Sequence, residues 1–277
     1  MRVRRRTRPV RSRRPARESL RRGIYLLPSL FTVGNMLCGF AALLHALQGH
    51  FELAGWLILL AGVLDGLDGR IARLTRATSE FGKEYDSLAD VVSFGIAPAI
   101  LAYQWGLRDV GRWGWAVVFL FLVAGSVRLA RFNVKVGSAD RRFFVGLPIP
   151  AGAGALTLMV LVATNLEVSV TRTVAICAAV FVFLAAVLMV SKIPYRSFKE
   201  FNLRQRWPAT AFFLFAVIVA VLAFSPLPAM AFLLAVYLVW GPTELVLRKL
   251  RHRPTTAAHT TPLQVTSATN PLDSEHP

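Results

Sequence analysis

Apolar runs of near-uniform length, separated by short polar joints, fill most of this chain. They lie at 27–47, 51–70, 86–105, 113–132, 148–165, 173–190, 208–224 and 226–247. Each is close to the ~20 residues that carry a helix across the hydrocarbon of a bilayer. Within the runs the apolar positions are near-continuous, without the period-two alternation of barrel strands. A backbone in lipid must satisfy its own hydrogen bonds. The pattern therefore predicts an all-α polytopic bundle of about eight transmembrane helices, forming one membrane domain over 25–250. The joints are short, so consecutive helices are expected as neighbours. The flanks have a different character. Residues 1–24 are Arg-rich and are expected as a disordered cytosolic arm, with "RESLRRGIYLLP" suited to lie on an anionic leaflet as a basic helix. Residues 251–277 are polar, rich in Thr, Ser and Pro, and lack an apolar face, so a disordered cytosolic tail is expected.

Composition supports this reading. Hydrophobic residues make up 55% of the 277, and mean hydropathy is +0.52, well above the usual soluble domain. The net charge of +17 raises the question of nucleic acid. Its distribution answers it. With both termini in the cytosol, all of the 32 Lys and Arg except Arg108, Arg112 and Arg172 fall in the two tails or near 70–85, 128–142 and 192–206, on one side. This is the positive-inside asymmetry of membrane proteins. No aromatic-interleaved basic module accompanies it, so no nucleic-acid partner is expected. The two cysteines, Cys38 and Cys177, sit in apolar runs and read as small packing residues.

Against this background, "VLDGLDGRIARLTRATSEFGKEYDSLADVV" stands out, because it sets four carboxylates at the cytosolic edge of the apolar region. Asp65 and Asp68 are three apart near the end of the second run, and Asp86 and Asp90 are four apart at the start of the third. Either spacing puts both side chains on one helix face. The chain turns back between the pairs, so two antiparallel helices present their acids at one depth. At ~1.5 Å per residue, Asp65 lies ~10 Å inside the cytosolic edge. Four close carboxylates cannot all stay ionised without cations. Arg73 and Lys83 are near, but divalent metals explain the arrangement better. The donors are all oxygen, with no nearby His or Cys, which implies Mg²⁺ or Mn²⁺, with Ca²⁺ a further candidate. Two ions would balance four charges and would clamp a diphosphate. Gly69, beside Asp68, suits either a closely approaching ligand or close helix packing. Acids in a membrane are too costly to serve helix cohesion alone. A cation transporter is a remote alternative, because pathway acids sit nearer the midplane.

Asp65-x-x-Asp68-Gly69-x-x-Ala72-Arg73, eight residues, then Gly82-x-x-x-Asp86-x-x-x-Asp90 resembles the signature of the CDP-alcohol phosphatidyltransferase family at every fixed position and spacing. "LPSLFTVGNMLCGF", "SEFGKEYDSLADVVSFGIAPA", "RLARFN", "FVGLPIPAGA" and "IPYRSFK" are similar to its membrane-integral phosphatidylserine synthase branch, over about Leu27 to Lys199. The resemblance implies transfer of the phosphatidyl group of CDP-diacylglycerol to L-serine, releasing CMP. It assigns Asp65, Asp68 and Asp86 as metal ligands for Mg²⁺ or Mn²⁺, two ions per site. Asp90 would complete the second metal site and act as general base. Gly69, Ala72, Arg73, Ser79 and Gly82 would form the CDP-diacylglycerol site, with Asn35 of the first helix facing the nucleotide. Glycerol phosphate or inositol phosphate is the alternative acceptor. Val91 stands where glycerol-phosphate enzymes of the family are expected to carry a lysine, and this favours serine. Homodimers are common in the family, so a second copy of the chain is an expected partner beside membrane lipid. The expected location is the cell membrane, multi-pass, with the site facing the cytoplasm.

The acceptor's carboxylate needs a cation. Arg128 and Arg131, three apart at the cytosolic end of the fourth run, and Arg196 and Lys199 in the next cytosolic joint are the candidates. For each, the competing reading is a positive-inside anchor on lipid headgroups.

Overall fold

A computed structural model describes residues 15–75, 79–135, 143–191, 193–196 and 223–251, with isolated positions between 213 and 221. The chain runs α1 (Pro15–Leu47), α2 (Phe51–Thr75) and α3 (Glu80–Asp90). A π-helical turn (Val91–Ile96) then leads into α4 (Ala97–Trp105), and a 3₁₀ turn (Leu107–Val110) into α5 (Arg112–Lys135). Strand β1 (Phe143–Val145), α6 (Ile149–Asn165), α7 (Arg172–Val190), β2 (Pro194–Arg196) and α8 (Pro226–Arg251) complete the described elements.

Five of the described helices are long and apolar enough to cross a membrane: Leu30–Leu47, Glu80–Trp105, Arg112–Val134, Arg172–Val190 and Pro226–Thr243. The remaining two long ones explain themselves. At 17 residues, α6 is slightly short. The 25 residues of α2 suffice in length, but it carries Glu52, Asp65 and Asp68. The run at 208–224 lies mostly outside the described residues, as do positions 1–14 and 252–277. Two boundaries differ from expectation. The first helix begins at Pro15 rather than Leu27, so it takes in the basic RESLRRG segment. The third begins at Glu80, because Ser79 caps it: the Ser79 hydroxyl accepts from the Gly82 N–H at 2.9 Å. Its amphipathic first turns then carry Asp86 and Asp90 into the bundle.

Packing is that of a membrane bundle, with small residues inside and large ones outside. The buried interior contains Ala42, Ala46, Ala54, Ala61, Ala97, Ala102, Ala153, Ala178 and Ala185, with Phe94, Phe121, Leu156 and Met189 filling it. Leu37, Phe40, Trp113, Phe119, Val180, Phe183 and Phe232 point outward. In water such a surface would be costly. In lipid it is solvated, and the small interior residues let helix backbones approach. Gly39 shows how closely. A Cβ there would lie 2.4 Å from Ser93 Oγ and 2.6 Å from Ser93 Cα, so only glycine lets α1 press on the π turn. The largest helix interface joins α1 and α2; α5 packs on α7, and α6 bridges α2, α4 and α8.

The π turn has a local cause. Pro98 has no N–H to give and its ring would crowd the carbonyl of residue 94 in a regular helix; the wide turn before it relieves this. The described residues also form a small ribbon not expected from the sequence. β1 and β2 pair antiparallel with Phe144 opposite Tyr195. Gly146 leaves the ribbon at φ +85°, and a Cβ there would meet the Met189 carbonyl oxygen at 2.4 Å. Its own N–H donates to Ile193 O at 2.9 Å.

Candidate active site

Three helices wall the acidic centre. From α2 come Asp65 and Asp68, from α3 Asp86 and Asp90, and from α1 Thr32 and Asn35. Asp65, Asp86 and Asp90 each direct a carboxylate oxygen to one place, with those oxygens within 4.8 Å of one another. Asp65 of one sequence-distant pair is thus brought to both acids of the other. Asp68 does not join this trio. It is buried on the α1 side, where its Oδ2 accepts a short hydrogen bond from the Thr32 hydroxyl.

Asp90 is the most enclosed of the trio, only 8% exposed. Asn35 donates from Nδ2 to its Oδ1 at 3.4 Å. Asn35 is itself fully buried and held from behind, because Ser93 of the π turn donates to the Asn35 carbonyl at 3.0 Å. Asn35 was expected at the nucleotide; its side chain also reaches Asp90. The link was invisible in the sequence, since it depends on Gly39 admitting Ser93 next to α1.

The donor set fits a hard divalent cation. Three carboxylates converge from two helices, one oxygen of each within 4.8 Å of the others, and the group is all oxygen, with no His or Cys in it. Asp86 Oδ1 is buried and accepts no hydrogen bond among the described residues. A buried anionic oxygen with no donor is costly, and a cation bound at the trio would satisfy it. Space beside the trio points the same way. A Cβ at Gly66 or Gly69 would meet no described atom within 4 Å, and both glycines are exposed on α2 beside Asp65 and Asp68.

The other expected site residues divide. Ser79 and Gly82 make the α3 cap. Ala72 and Arg73 lie in the last turns of α2, and their side chains are outside the described residues. Arg131 is exposed and donates from Nη1 to Val190 O at 3.2 Å, capping the end of α7. Arg196 pairs in the ribbon through its backbone, with its side chain outside the described residues, as is all of Lys199. Arg128 differs from these. It is buried at 8% exposure, with its guanidinium 6.0 Å from the Phe132 ring centroid and within electrostatic range of Asp90 and of Tyr237 on α8. Thr32, Ser93 and Tyr237 went unnoticed in the sequence, being lone polar residues in apolar runs.

Comparison with known proteins gives consistent matches. Residues 25–184 match the CDP-alcohol phosphatidyltransferase family. A CDP-diacylglycerol–serine O-phosphatidyltransferase of Helicobacter pylori is 39% identical over 218 residues, covering 79% of this chain and 90% of that protein. One from Mycobacterium leprae is 34% identical over 209 residues, 73% of this chain and 69% of its own. An archaetidylserine synthase of Methanothermobacter thermautotrophicus is 36% identical over 171 residues, 61% of this chain and 69% of its own.

Proposed function

The chain belongs to the CDP-alcohol phosphatidyltransferase family, and on that premise we propose that it transfers the phosphatidyl group of CDP-diacylglycerol to L-serine, giving phosphatidylserine and CMP. The observation that carries the reading is the convergence of Asp65, Asp86 and Asp90, with a buried Asp86 oxygen that accepts no hydrogen bond among the described residues. The names of the similar proteins support serine as acceptor.

The three carboxylates, with the second oxygen of Asp68, would hold divalent ions, Mg²⁺ or Mn²⁺ and two per site. Bound there, such ions would polarise the phosphoryl oxygens and neutralise the departing phosphate. The chain's own groups do the rest. The open side of α2 at Gly66 and Gly69 admits the diphosphate while the acyl chains stay in the cytosolic leaflet. Asp90, held by Asn35, takes the proton of the serine hydroxyl as its oxygen bonds to the lipid-side phosphorus. The bond from that phosphorus to the bridging oxygen breaks, and CMP leaves with the electron pair. Burial of Asp90 on the inner side of the trio keeps bulk water from competing for the phosphorus.

The test is CMP release by purified protein in detergent, given CDP-diacylglycerol, Mn²⁺ and one alcohol at a time. Serine alone should support it. Release with glycerol phosphate or inositol phosphate but not serine would replace the acceptor, and no release with any alcohol would overturn the transferase.

A further inference from the structure

Of the four cations considered for the acceptor, the described structure gives one a position inside the bundle. Two side-chain contacts set the register of α5 against the α3–π–α4 helix. At the cytosolic end Asn133 Nδ2 donates to Ser87 Oγ at 2.9 Å. Deeper in, Leu122 fills the space beside Gly95, where a Cβ would come within 2.9 Å of Leu122 Cδ1. The two helices are antiparallel between these points, so Arg128 comes level with Asp90. Burial agrees with that depth, as does the electrostatic reach between Arg128, Asp90 and Tyr237. Arg131, one turn nearer the cytosol, is committed to the end of α7.

A guanidinium beside the proposed base has a specific use. In serine a short carbon spacer separates the hydroxyl from the carboxylate. An acceptor with its hydroxyl at Asp90 has its carboxylate within reach of a cation at the same depth. Arg offers a planar fork of donors that matches a carboxylate bidentately, and packing against Phe132 holds that fork. We propose that Arg128, with Tyr237 of α8 beside it, receives the carboxylate of the acceptor amino acid and so selects amino acids over simple amino alcohols. This rests on the transferase reading above. The same fork would also suit a phosphate of the lipid nucleotide, and the test separates the two anions.

The experiment compares wild type, R128Q and R128K in the CMP-release assay, with the KM for serine and for CDP-diacylglycerol measured separately. Serine is then compared with serinol, which keeps the hydroxyl and amine but lacks the carboxylate. Loss of a charge-assisted bidentate contact should raise the serine KM on the order of 10- to 100-fold. The KM for CDP-diacylglycerol should stay unchanged, and the preference for serine over serinol should collapse. R128K keeps the charge, loses the fork and should fall between; it decides the matter if R128Q does not fold. A rise confined to the CDP-diacylglycerol KM assigns Arg128 to the phosphate and overturns the proposal. So does an unchanged serine-to-serinol preference in an active variant. If wild type itself shows no serine-dependent release, the transferase reading falls first and this inference with it.

Discussion

The two carboxylate pairs look alike in sequence, yet the fold uses them unequally. Both members of the α3 pair, Asp86 and Asp90, enter the trio, whereas the α2 pair is split: Asp65 joins and Asp68 turns to Thr32. The difference follows from what each helix faces. α3 enters the bundle through a capped first turn and a π turn, and both inward positions meet the centre. α2 lies along α1 over its length, and its i+3 position falls against α1 rather than against α3. Two pairs that each share a helix face therefore become a site with one acid tied to a neighbour and three that converge. Substitutions should separate the two pairs.

Asp90→Asn should have the largest effect. Loss of the base should lower kcat by about 10³-fold or more while CDP-diacylglycerol binding persists, read by single-turnover CMP release and by binding of the labelled lipid. A near-normal rate would remove Asp90 from the proton transfer. Asp65→Asn should come next, chiefly through metal: the Mn²⁺ needed for half-maximal activity should rise by more than about 10-fold, with partial recovery at high Mn²⁺. Thr32→Val tests the split directly. Removing a hydrogen bond that orients a ligand typically weakens metal affinity about 10-fold, and that is the expected rise in Mn²⁺ requirement. A change as large as in Asp65→Asn would mean that Asp68 sits in the centre on the same footing as Asp65. Smallest should be Ser79→Ala, which removes the α3 cap: about 1 kcal/mol of stability in thermal unfolding, with kcat changed only a few-fold.

Much of this was legible in the sequence, for physical reasons that differ from place to place. The membrane bundle follows from apolar run length, and the convergence of Asp65, Asp86 and Asp90 from helical periodicity plus one chain reversal. Both are local or nearly so. The Asn35–Asp90 contact was not legible, because it depends on Gly39 letting Ser93 approach across a helix interface. The pairing of Asp68 with Thr32 depends on the rotation of α1 about its axis, which a helix of small and apolar residues leaves undetermined. Arg128 and Arg131 looked interchangeable at three residues apart. Only the register of α5 shows that one faces inward and the other reaches the end of α7.

The trio is expected to hold the metal that serine transfer requires. The most direct measurement is a Mn²⁺ titration of wild type and Asp86→Asn, with bound Mn²⁺ followed by electron paramagnetic resonance and CMP release followed in the same samples. Wild type should bind Mn²⁺ and gain serine-dependent CMP release in parallel. Asp86→Asn should lose both together, at every concentration that saturates wild type. Full release from metal-stripped wild type, or unchanged Mn²⁺ binding in Asp86→Asn, would contradict the account.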